Sequence, residues 1–187
     1  MMRIITGSAR GTRLETLAGD ATRPTAERVK EAVFSTLQFS LEGRRVLDLF
    51  AGSGQLGLEA VSRGAAEAVL VDASRDAIGV ISRNAERTRL SKSVEIVCSD
   101  ALAFLKRPAK PFHLVFLDPP YAAGLVPQVL SALTSRGWLT TGALVVVETA
   151  QQADVFGGDT ALAERFELLK ESRYGAAYIT ILKETTI

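Results

Sequence analysis

Short apolar runs alternate with helical patterns from residue 45 to residue 147, and this alternation limits the possible folds more than any other feature. The runs are rich in Val, Leu and Ile, which is typical of strands buried on both faces. Strands that alternate with helices predict βαβ units on a parallel sheet with helices on both sides. The predicted strands are Val46–Phe50, Ala68–Asp72, Val94–Cys98, Phe112–Leu117 and Leu144–Val147, and the predicted helices are Gln55–Ser62, Asp76–Arg89, Ala101–Leu105 and Val126–Ser135.

The C-terminal part of the chain departs from this alternation. Phe166–Tyr174 and Ala176–Leu182 have the composition of two strands that meet at Gly175. Two such runs around one glycine predict a closing hairpin that is antiparallel to the rest of the sheet. The sequence therefore predicts an α/β fold whose sheet is mostly parallel and ends in an antiparallel strand.

The N-terminal part reads as a separate, basic extension. Residues 1–30 hold six basic and three acidic side chains, whereas the whole chain has a net charge of only +1. Gly7 and Gly11 predict a small hairpin with Arg10 near its tip. A helix is predicted from Pro24 to about Phe39, because proline suits the first helical turn. We therefore divide the chain into an extension, 1–40, and a main domain, 41–187, and the basic extension favours a polyanionic partner.

Composition excludes several classes of protein. The 187 residues are 47% hydrophobic and 23% charged, which is typical of a globular chain. No apolar stretch approaches the roughly 18 residues of a membrane span, and no signal-peptide core is visible. The single cysteine, Cys98, lies in an apolar run and is predicted to be a core residue in a reducing compartment. Because His113 is the single histidine, the sequence offers no Cys/His cluster, and we predict no bound metal. The predicted location is the cytoplasm.

A glycine-rich loop links the first predicted strand to the helix after it. Gly52, Gly54 and Gly57 form a G-x-G-x-x-G pattern, which allows a tight turn and close approach of a ligand to the backbone. Asp72 ends the next strand, 20 positions after Gly52, where a carboxylate can accept two ribose hydroxyls. Taken alone, the loop fits a nicotinamide enzyme and an S-adenosylmethionine enzyme equally well.

Acidic residues stand at or just after the ends of four successive predicted strands, and they favour an S-adenosylmethionine enzyme over a nicotinamide enzyme. They are Asp48, Asp72, Asp100 and Asp118. Ligands of open α/β sheets bind outside the carboxyl ends of the strands, so one cleft can collect all four. A carboxylate at Asp48 would repel a pyrophosphate but can hold a methionine ammonium, and Asp100 can accept a hydrogen bond from an adenine amino group.

The sequence D-P-P-Y, residues 118–121, follows the fourth strand. Proline lacks a backbone N–H and fixes its own φ, and it also excludes the preceding residue from the helical region. The strand must therefore end here. It leaves a stiff group of acceptors, the Asp118 carboxylate and the backbone carbonyls, next to the ring of Tyr121.

These motifs resemble a known family. V-L-D-L-F-A-G-S-G-Q-L-G-L-E-A (46–60) and L-D-P-P-Y (117–121) resemble the class I S-adenosylmethionine-dependent amino-group methyltransferases, which have a Rossmann-like fold. R-I-I-T-G-S-A-R-G (3–11) and R-P-T-A-E-R-V-K-E-A-V-F (23–34) narrow the resemblance to the RsmD family. That family methylates guanine N2 in small-subunit ribosomal RNA of bacteria, and the resemblance covers nearly the whole chain.

The resemblance implies a site for each part of the reaction. We expect catalysis by the D-P-P-Y stretch, cofactor binding around the glycine loop and strand ends, and RNA binding by the basic extension. The expected catalytic residues are Asp118, Pro119, Pro120 and Tyr121. The expected contacts of S-adenosylmethionine are Asp48, Phe50, Ala51, Gly52, Ser53, Gly54, Asp72, Ala73, Asp100 and Ala101. The expected RNA contacts are Arg10, Arg13 and Arg23.

The expected partner is ribosomal RNA or the small ribosomal subunit, and the protein is expected to act as a monomer. Spacing alone does not distinguish guanine from adenine or RNA from DNA. Methylation of adenine N6 in DNA or RNA therefore remains an alternative, and an NAD-dependent oxidoreductase and a non-catalytic RNA-binding module remain more distant ones.

Overall fold

The computed structural model describes residues 2–17, 24–37, 40–120, 124–149, 152 and 154–185. Helices and strands alternate through most of this length, and the chain ends in a pair of strands. In chain order the elements are α1 (Pro24–Leu37), β1 (Arg45–Asp48), α2 (Gln55–Ser62), β2 (Glu67–Asp72), α3 (Arg75–Thr88), a 3-10 turn (Ser91–Ser93), β3 (Val94–Cys98), α4 (Ala101–Phe104), β4 (Phe112–Leu117), α5 (Leu125–Ser135), β5 (Leu139–Thr149), α6 (Thr160–Ala163), β6 (Phe166–Tyr174) and β7 (Ala177–Glu184).

The strands form one seven-stranded sheet in the order β3-β2-β1-β4-β5-β7-β6. The first five strands pair in parallel, β7 runs antiparallel to β5, and β6 runs antiparallel to β7. The predicted fold, a mostly parallel sheet with a reversed last strand, is confirmed. The chain changes direction across the sheet between β1 and β4, and ligands of open α/β sheets bind outside the carboxyl ends of the strands at such a point.

The strand β5 is longer than the predicted Leu144–Val147. Its pairing with β4 shifts register, because Phe112 pairs with Leu139 whereas Leu114 pairs with Leu144. More residues of β5 than of β4 lie between these two pairs, which is the geometry of a bulge. The additional residues include two threonines and a glycine, and they lack the apolar run on which the prediction rested.

Apolar layers cover both faces of the sheet, and alternate strand residues enter opposite layers because side chains alternate along a strand. One layer contains residues of α4 and α5, and the other contains residues of α1 and α2. The first includes Leu47, Val115 and Val145, and the second includes Val46, Phe116 and Val146. Among the described helices, none is long and apolar enough to span a lipid bilayer.

Residues 2–17, called here the N-terminal segment, fold back on themselves and pack against the main domain. An antiparallel bridge joins Arg3 to Arg13, and the Ile4 amide donates to the Thr12 carbonyl at 2.9 Å. Ile4 and Leu14 are buried in a cluster that also contains residues of α2, β2 and α3. The segment is therefore a small hairpin-like loop that shares its core with the sheet domain.

A buried ion cluster, formed by Glu59, Lys30 and Arg63, anchors the N-terminal segment. The Glu59 side chain is fully buried and accepts hydrogen bonds from the Ile5 and Thr6 amides at 2.8 and 3.0 Å. Its carboxylate lies 3.4 Å from the Lys30 ammonium and 2.8 Å from Arg63 Nε. Lys30 Nζ also donates to the carbonyl of Arg3 at 2.6 Å. Because Glu59 is more than 50 positions from Ile5 and Thr6, the pattern of apolar residues does not reveal the cluster.

Two glycines of the N-terminal segment provide a matched test of its packing. Gly7 and Gly11 both have positive φ, 90° and 82°, so alanine costs about 1–2 kcal/mol of backbone strain at either position. A Cβ at Gly7 would also overlap the backbone carbonyl of Ser62, whereas a Cβ at Gly11 would have nothing within 4 Å. We expect Gly7→Ala to lower the free energy of unfolding by about 1–3 kcal/mol more than Gly11→Ala. Urea unfolding measures the difference, and equal losses would show that the segment is not packed against α2.

The prediction for Cys98 is wrong, because the residue is exposed rather than part of the core. Cys98 is the last residue of β3, and β3 is one of the two edge strands of the sheet. An edge strand has a neighbour on one side only, so an apolar run there does not guarantee burial. The helix α1 ends at Leu37, and its predicted end near Phe39 lies outside the described residues.

Candidate active site

Acidic residues stand at the carboxyl ends of five adjacent strands. Asp72 and Asp48 are the last residues of β2 and β1. Asp118 directly follows β4, Asp100 follows β3 by two positions, and Glu148 lies next to the end of β5. Across the sheet their order is Asp100, Asp72, Asp48, Asp118 and Glu148. The structure thus places the four predicted aspartates along one edge and adds a glutamate that was not predicted as a site residue.

Three of these acids also share one face of the sheet. Asp48 is in register with Phe116 on β4, which is in register with Val146 on β5. Since side chains alternate within a strand, Glu148, two positions beyond Val146, is on this face. Asp118 directly follows β4, two positions beyond Phe116, and its charge acts on both Asp48 and Glu148. Asp118 and Glu148 are therefore neighbours at the top of adjacent strands, one row above Asp48.

The electrostatics of Asp48 agree with this arrangement. Burial and, to a smaller extent, the charges of Asp118 and Asp72 together raise the pKa of its carboxyl to about 7, against a hydrogen bond from the Gly57 amide, which lowers it. That bond joins the amide nitrogen to Oδ2 at 3.1 Å. The other oxygen, Oδ1, is buried and has no hydrogen-bond partner among the described residues. A buried acceptor of this kind carries a desolvation cost that a cationic ligand would offset.

Glu148 responds to the same neighbours. Burial and, to a smaller extent, the nearby charge of Asp118 together raise the pKa of its carboxyl to about 7. Acidic groups with pKa values near neutrality are concentrated at functional sites, although structural networks also produce them. The signal that could have revealed Glu148 in the sequence is the one used for the four aspartates, namely an acid at the end of a predicted strand, here Leu144–Val147.

The glycine loop is held in place by the acid at the end of β2. The Gly52 amide donates to Asp72 Oδ2 at 2.9 Å, and the Ser74 amide donates to Oδ1 at 2.8 Å. The Ala51 amide donates to the carbonyl of Val71 at 3.0 Å, which fixes the start of the loop against β2. Gly54 is the N-cap residue of α2. The loop therefore presents its backbone beside Asp72.

The third glycine of the motif, Gly57, allows α2 to approach the sheet closely. A Cβ at this position would overlap the Leu70 side chain on β2, and it would lie 3.5 Å from Asp48 Oδ2. Close packing of the helix on the sheet is the role expected of this glycine. It also brings the Gly57 amide within hydrogen-bond distance of Asp48, so the motif and the acid at the end of β1 are joined.

Asn84 connects the glycine loop to the N-terminal segment. The side chain is fully buried on α3, and its Nδ2 donates to the carbonyls of Ser53 and Glu15, both at 2.9 Å. Its Oδ1 accepts from the Glu15 amide at 2.8 Å. Ser53 is itself buried, with Oγ 3.2 Å from the sulfur of Met2. Asn84 is not predicted from the sequence as a site residue, because a single asparagine in a helical pattern gives no signal of its partners.

The remaining predicted cofactor contacts surround this loop. Asp100 is exposed and caps α4, with Oδ1 accepting from the Ala103 amide at 3.0 Å. It stands near the end of β2, since the Ser99 amide donates to the carbonyl of Asp72 at 3.0 Å. The other three positions differ in exposure: Phe50 is half-buried, Ala73 is exposed and Ala101 is buried.

The D-P-P-Y stretch begins as predicted, directly after the end of β4 at Leu117. Asp118 is exposed, Pro119 is buried and Pro120 is exposed. Tyr121, predicted to be catalytic, lies outside the described residues, as does Arg23. The other predicted RNA contacts, Arg10 and Arg13, are both exposed. In the part of the chain that the structure describes, no group of three or more His, Cys, Asp or Glu side chains is arranged to hold a metal ion.

Comparison with known proteins identifies the family. Residues 2–183 match the family model described as conserved hypothetical protein 95. The chain belongs to this family. The match covers nearly the whole chain, and the resemblance of the sequence motifs to the RsmD family is confirmed by it and by the relatives.

Relatives of this family member are similar along most of their length. The chain is 36% identical over 177 residues to ribosomal RNA small subunit methyltransferase D of Haemophilus influenzae, covering 93% of this chain and 89% of that protein. It is 34% identical over 188 residues to the putative rRNA methyltransferase YlbH of Bacillus subtilis, covering 98% and 99%. A solved structure of the putative methyltransferase yhhF from Escherichia coli is 33% identical in sequence and has a TM-score of 0.86. The match covers 100% of this chain and 99% of that chain.

Proposed function

We propose that this protein transfers a methyl group from S-adenosylmethionine to the exocyclic amine N2 of a guanine in small-subunit ribosomal RNA. The observation that carries the proposal is the row of acids along one edge of the sheet, next to a glycine loop fixed by Asp72. The relatives named ribosomal RNA small subunit methyltransferase D support the reaction and the class of RNA. The choice of guanine N2 rests on the resemblance of the sequence motifs to the RsmD family.

The acids at the ends of β1, β2 and β3 fit the polar groups of S-adenosylmethionine. The buried Oδ1 of Asp48 has no hydrogen-bond partner among the described residues and suits the methionine ammonium, because attraction to a cation would offset part of the cost of burying the carboxylate. Asp72 suits the ribose hydroxyls, and Asp100 suits the adenine amino group. The backbone of the glycine loop closes the site, so its lining is assigned to Phe50, Ala51, Gly52, Ser53, Gly54, Ala73 and Ala101.

When bound, S-adenosylmethionine supplies an electrophilic methyl group on a sulfonium. The residues of this chain have to orient the acceptor amine, whose lone pair is delocalised into the base. Hydrogen bonds from its two N–H groups to the Asp118 carboxylate and the Pro119 carbonyl would draw the nitrogen towards tetrahedral geometry. Pro119 and Pro120 keep these acceptors rigid and outside the sheet ladder. Such positioning accounts for most of the rate enhancement that this reaction requires.

The target base must leave its stack to reach this edge of the sheet. Unstacking costs a few kcal/mol, and stacking on an aromatic ring returns about 1–3 kcal/mol per base. We assign that role to Tyr121, which follows Pro120 in the D-P-P-Y stretch.

The basic N-terminal segment and the residues after it are proposed to bind the RNA backbone through Arg10, Arg13 and Arg23. We expect Arg10→Ala with Arg13→Ala to weaken RNA binding and to reduce the slope of log affinity against log salt by about one per arginine. The control is Arg136→Ala. Arg136 is exposed and lies between α5 and the amino end of β5, so it is away from the carboxyl ends of the strands where the acids stand. A salt slope unchanged by the double substitution would assign the two arginines to an ordinary solvated surface.

Two measurements test the proposed function. Calorimetric titration with S-adenosylhomocysteine and with NAD should show binding of the first only, and the reverse result would support the oxidoreductase alternative. Incubation of the purified protein with S-adenosylmethionine and small ribosomal subunits from a strain that lacks it should yield N2-methylguanosine. Mass spectrometry of the nucleosides identifies the product, and N6-methyladenosine would instead support the adenine alternative.

A further inference from the structure

Glu148 is a feature of the candidate site that the proposed mechanism does not use. It lies next to the end of β5, and its half-buried side chain is on the same face as Asp48 and Asp118. The register of β4 and β5 makes Glu148 the lateral neighbour of Asp118, since Leu117 pairs with Val147. Two carboxylates that stand side by side at the site for a nucleobase limit which base edge can bind there.

The hydrogen-bonding edges of guanine and adenine differ at one position beside the amine. Guanine presents three N–H groups along this edge, two on N2 and one on the ring nitrogen N1. Adenine presents an amine on C6, and its adjacent N1 is an acceptor. Ionised carboxylates only accept hydrogen bonds. With both groups ionised, a pair of carboxylates therefore matches the edge of guanine and repels the N1 lone pair of adenine.

We propose that Glu148 accepts the N1–H of the target guanine, while Asp118 and the Pro119 carbonyl accept the two N–H groups of the amine. This inference rests on the proposed function, and it adds a residue that selects the base. In the proposed mechanism Asp118 and Pro119 are both occupied by the amine, so N1–H requires a third acceptor. Glu148 is adjacent to Asp118 on the correct face to provide it.

The environment of Glu148 supports a role that involves a donor ligand. Its carboxyl is disfavoured as an anion by burial and by the charge of Asp118, which together raise its pKa. Hydrogen bonds from a bound base would stabilise both carboxylates at once. Guanine provides this stabilisation because it offers N–H groups to both acids. Adenine does not, because its N1 has no hydrogen to donate.

The test compares guanine with 2-aminopurine at the methylated position of the RNA, once mass spectrometry of RNA fragments has located that position. 2-Aminopurine carries the same exocyclic amine but has an acceptor at N1 in place of N1–H. We expect the wild-type protein to favour guanine in kcat/KM by about a hundredfold or more, since sites built for a hydrogen bond reject analogues that lack it. The Glu148→Gln variant should reduce this preference by at least about tenfold, because an amide can donate to the N1 of the analogue.

Further variants separate recognition from folding. Glu148→Asp keeps the acceptor and should preserve the preference for guanine even if its rate falls. Glu171→Gln, an exposed substitution on β6, is the matched control and should behave as wild type. Binding of S-adenosylhomocysteine should be unchanged in all three variants, because Glu148 is assigned to the base and not to the cofactor.

The outcomes distinguish this inference from the proposed function. If the wild-type protein forms N2-methylguanosine and Glu148→Gln lowers the rates for guanine and 2-aminopurine equally, the inference is wrong and the proposed function stands. The same holds if the wild-type protein methylates guanine and 2-aminopurine equally well. If the wild-type protein forms no N2-methylated product, the proposed function fails, and the role of Glu148 fails with it.

Discussion

Asp118→Ala is expected to lower kcat about a hundredfold or more, the loss typical of one preorganised hydrogen-bond partner in a transition state. Binding of S-adenosylhomocysteine should stay near normal, since the cofactor is assigned to Asp48, Asp72 and Asp100. Single-turnover methyl transfer to small ribosomal subunits measures the chemical step without product release. A normal single-turnover rate in this variant would remove Asp118 from the mechanism.

The Asp118→Asn variant adds a readout that does not depend on activity. The charge of Asp118 raises the pKa of both Asp48 and Glu148, so its removal should lower both pKa values. Both should remain above their ordinary range, because burial is the larger cause in each case. Carboxyl carbon NMR across a pH titration measures the shifts. Asp76→Asn, an exposed substitution in the first turn of α3, should leave both values unchanged.

Most of the fold could be predicted from local patterns because a doubly covered parallel sheet requires apolar strands and amphipathic helices in strict alternation. The aspartates at the ends of β1, β2 and β4 followed from the same logic, since the carboxyl ends of parallel strands share one edge. The length of β5 could not be predicted in this way. Its first residues pair through a bulge next to Phe112, and a bulge leaves no periodic signal.

Residues that act through distant partners were not identified from the sequence. Asn84 and Glu59 are polar residues inside helical patterns, and their importance comes from contacts with the N-terminal segment. Asn84 is 69 positions from Glu15, and Glu59 is 54 positions from Ile5. The periodicity of a helix shows which face is buried, but it does not show which backbone groups meet a polar side chain there. The error at Cys98 has the related cause that burial depends on the position of a strand in the sheet.

Glu59→Gln is expected to cost about 3–5 kcal/mol of the free energy of unfolding, the loss typical when one partner of a buried ion pair is removed. Glu59 is the acceptor for two backbone amides and two cationic side chains, and the substitution removes the carboxylate that is paired with the buried Lys30 ammonium. Burial already lowers the pKa of Lys30, and the charge of Glu59 opposes that effect. Without Glu59, the pKa of the lysine should therefore fall further. Urea unfolding followed by circular dichroism measures the loss of stability.

The control for this prediction is an ion pair of the same N-terminal segment that is open to solvent. Arg3 and Glu27 lie 2.8 Å apart with side chains 57% and 30% exposed, so Glu27→Gln should cost no more than about 1 kcal/mol. Adding Lys30→Met to Glu59→Gln should recover part of the loss by removing the unpaired buried charge, with a coupling energy of about 0.5–3 kcal/mol. Recovery should be incomplete, because Ile5 and Thr6 lose the carboxylate that accepts from their amides. Amide hydrogen exchange at these two residues should accelerate in Glu59→Gln and not in Glu27→Gln. If the two variants lost equal amounts of the free energy of unfolding, the buried ion cluster would not anchor the segment.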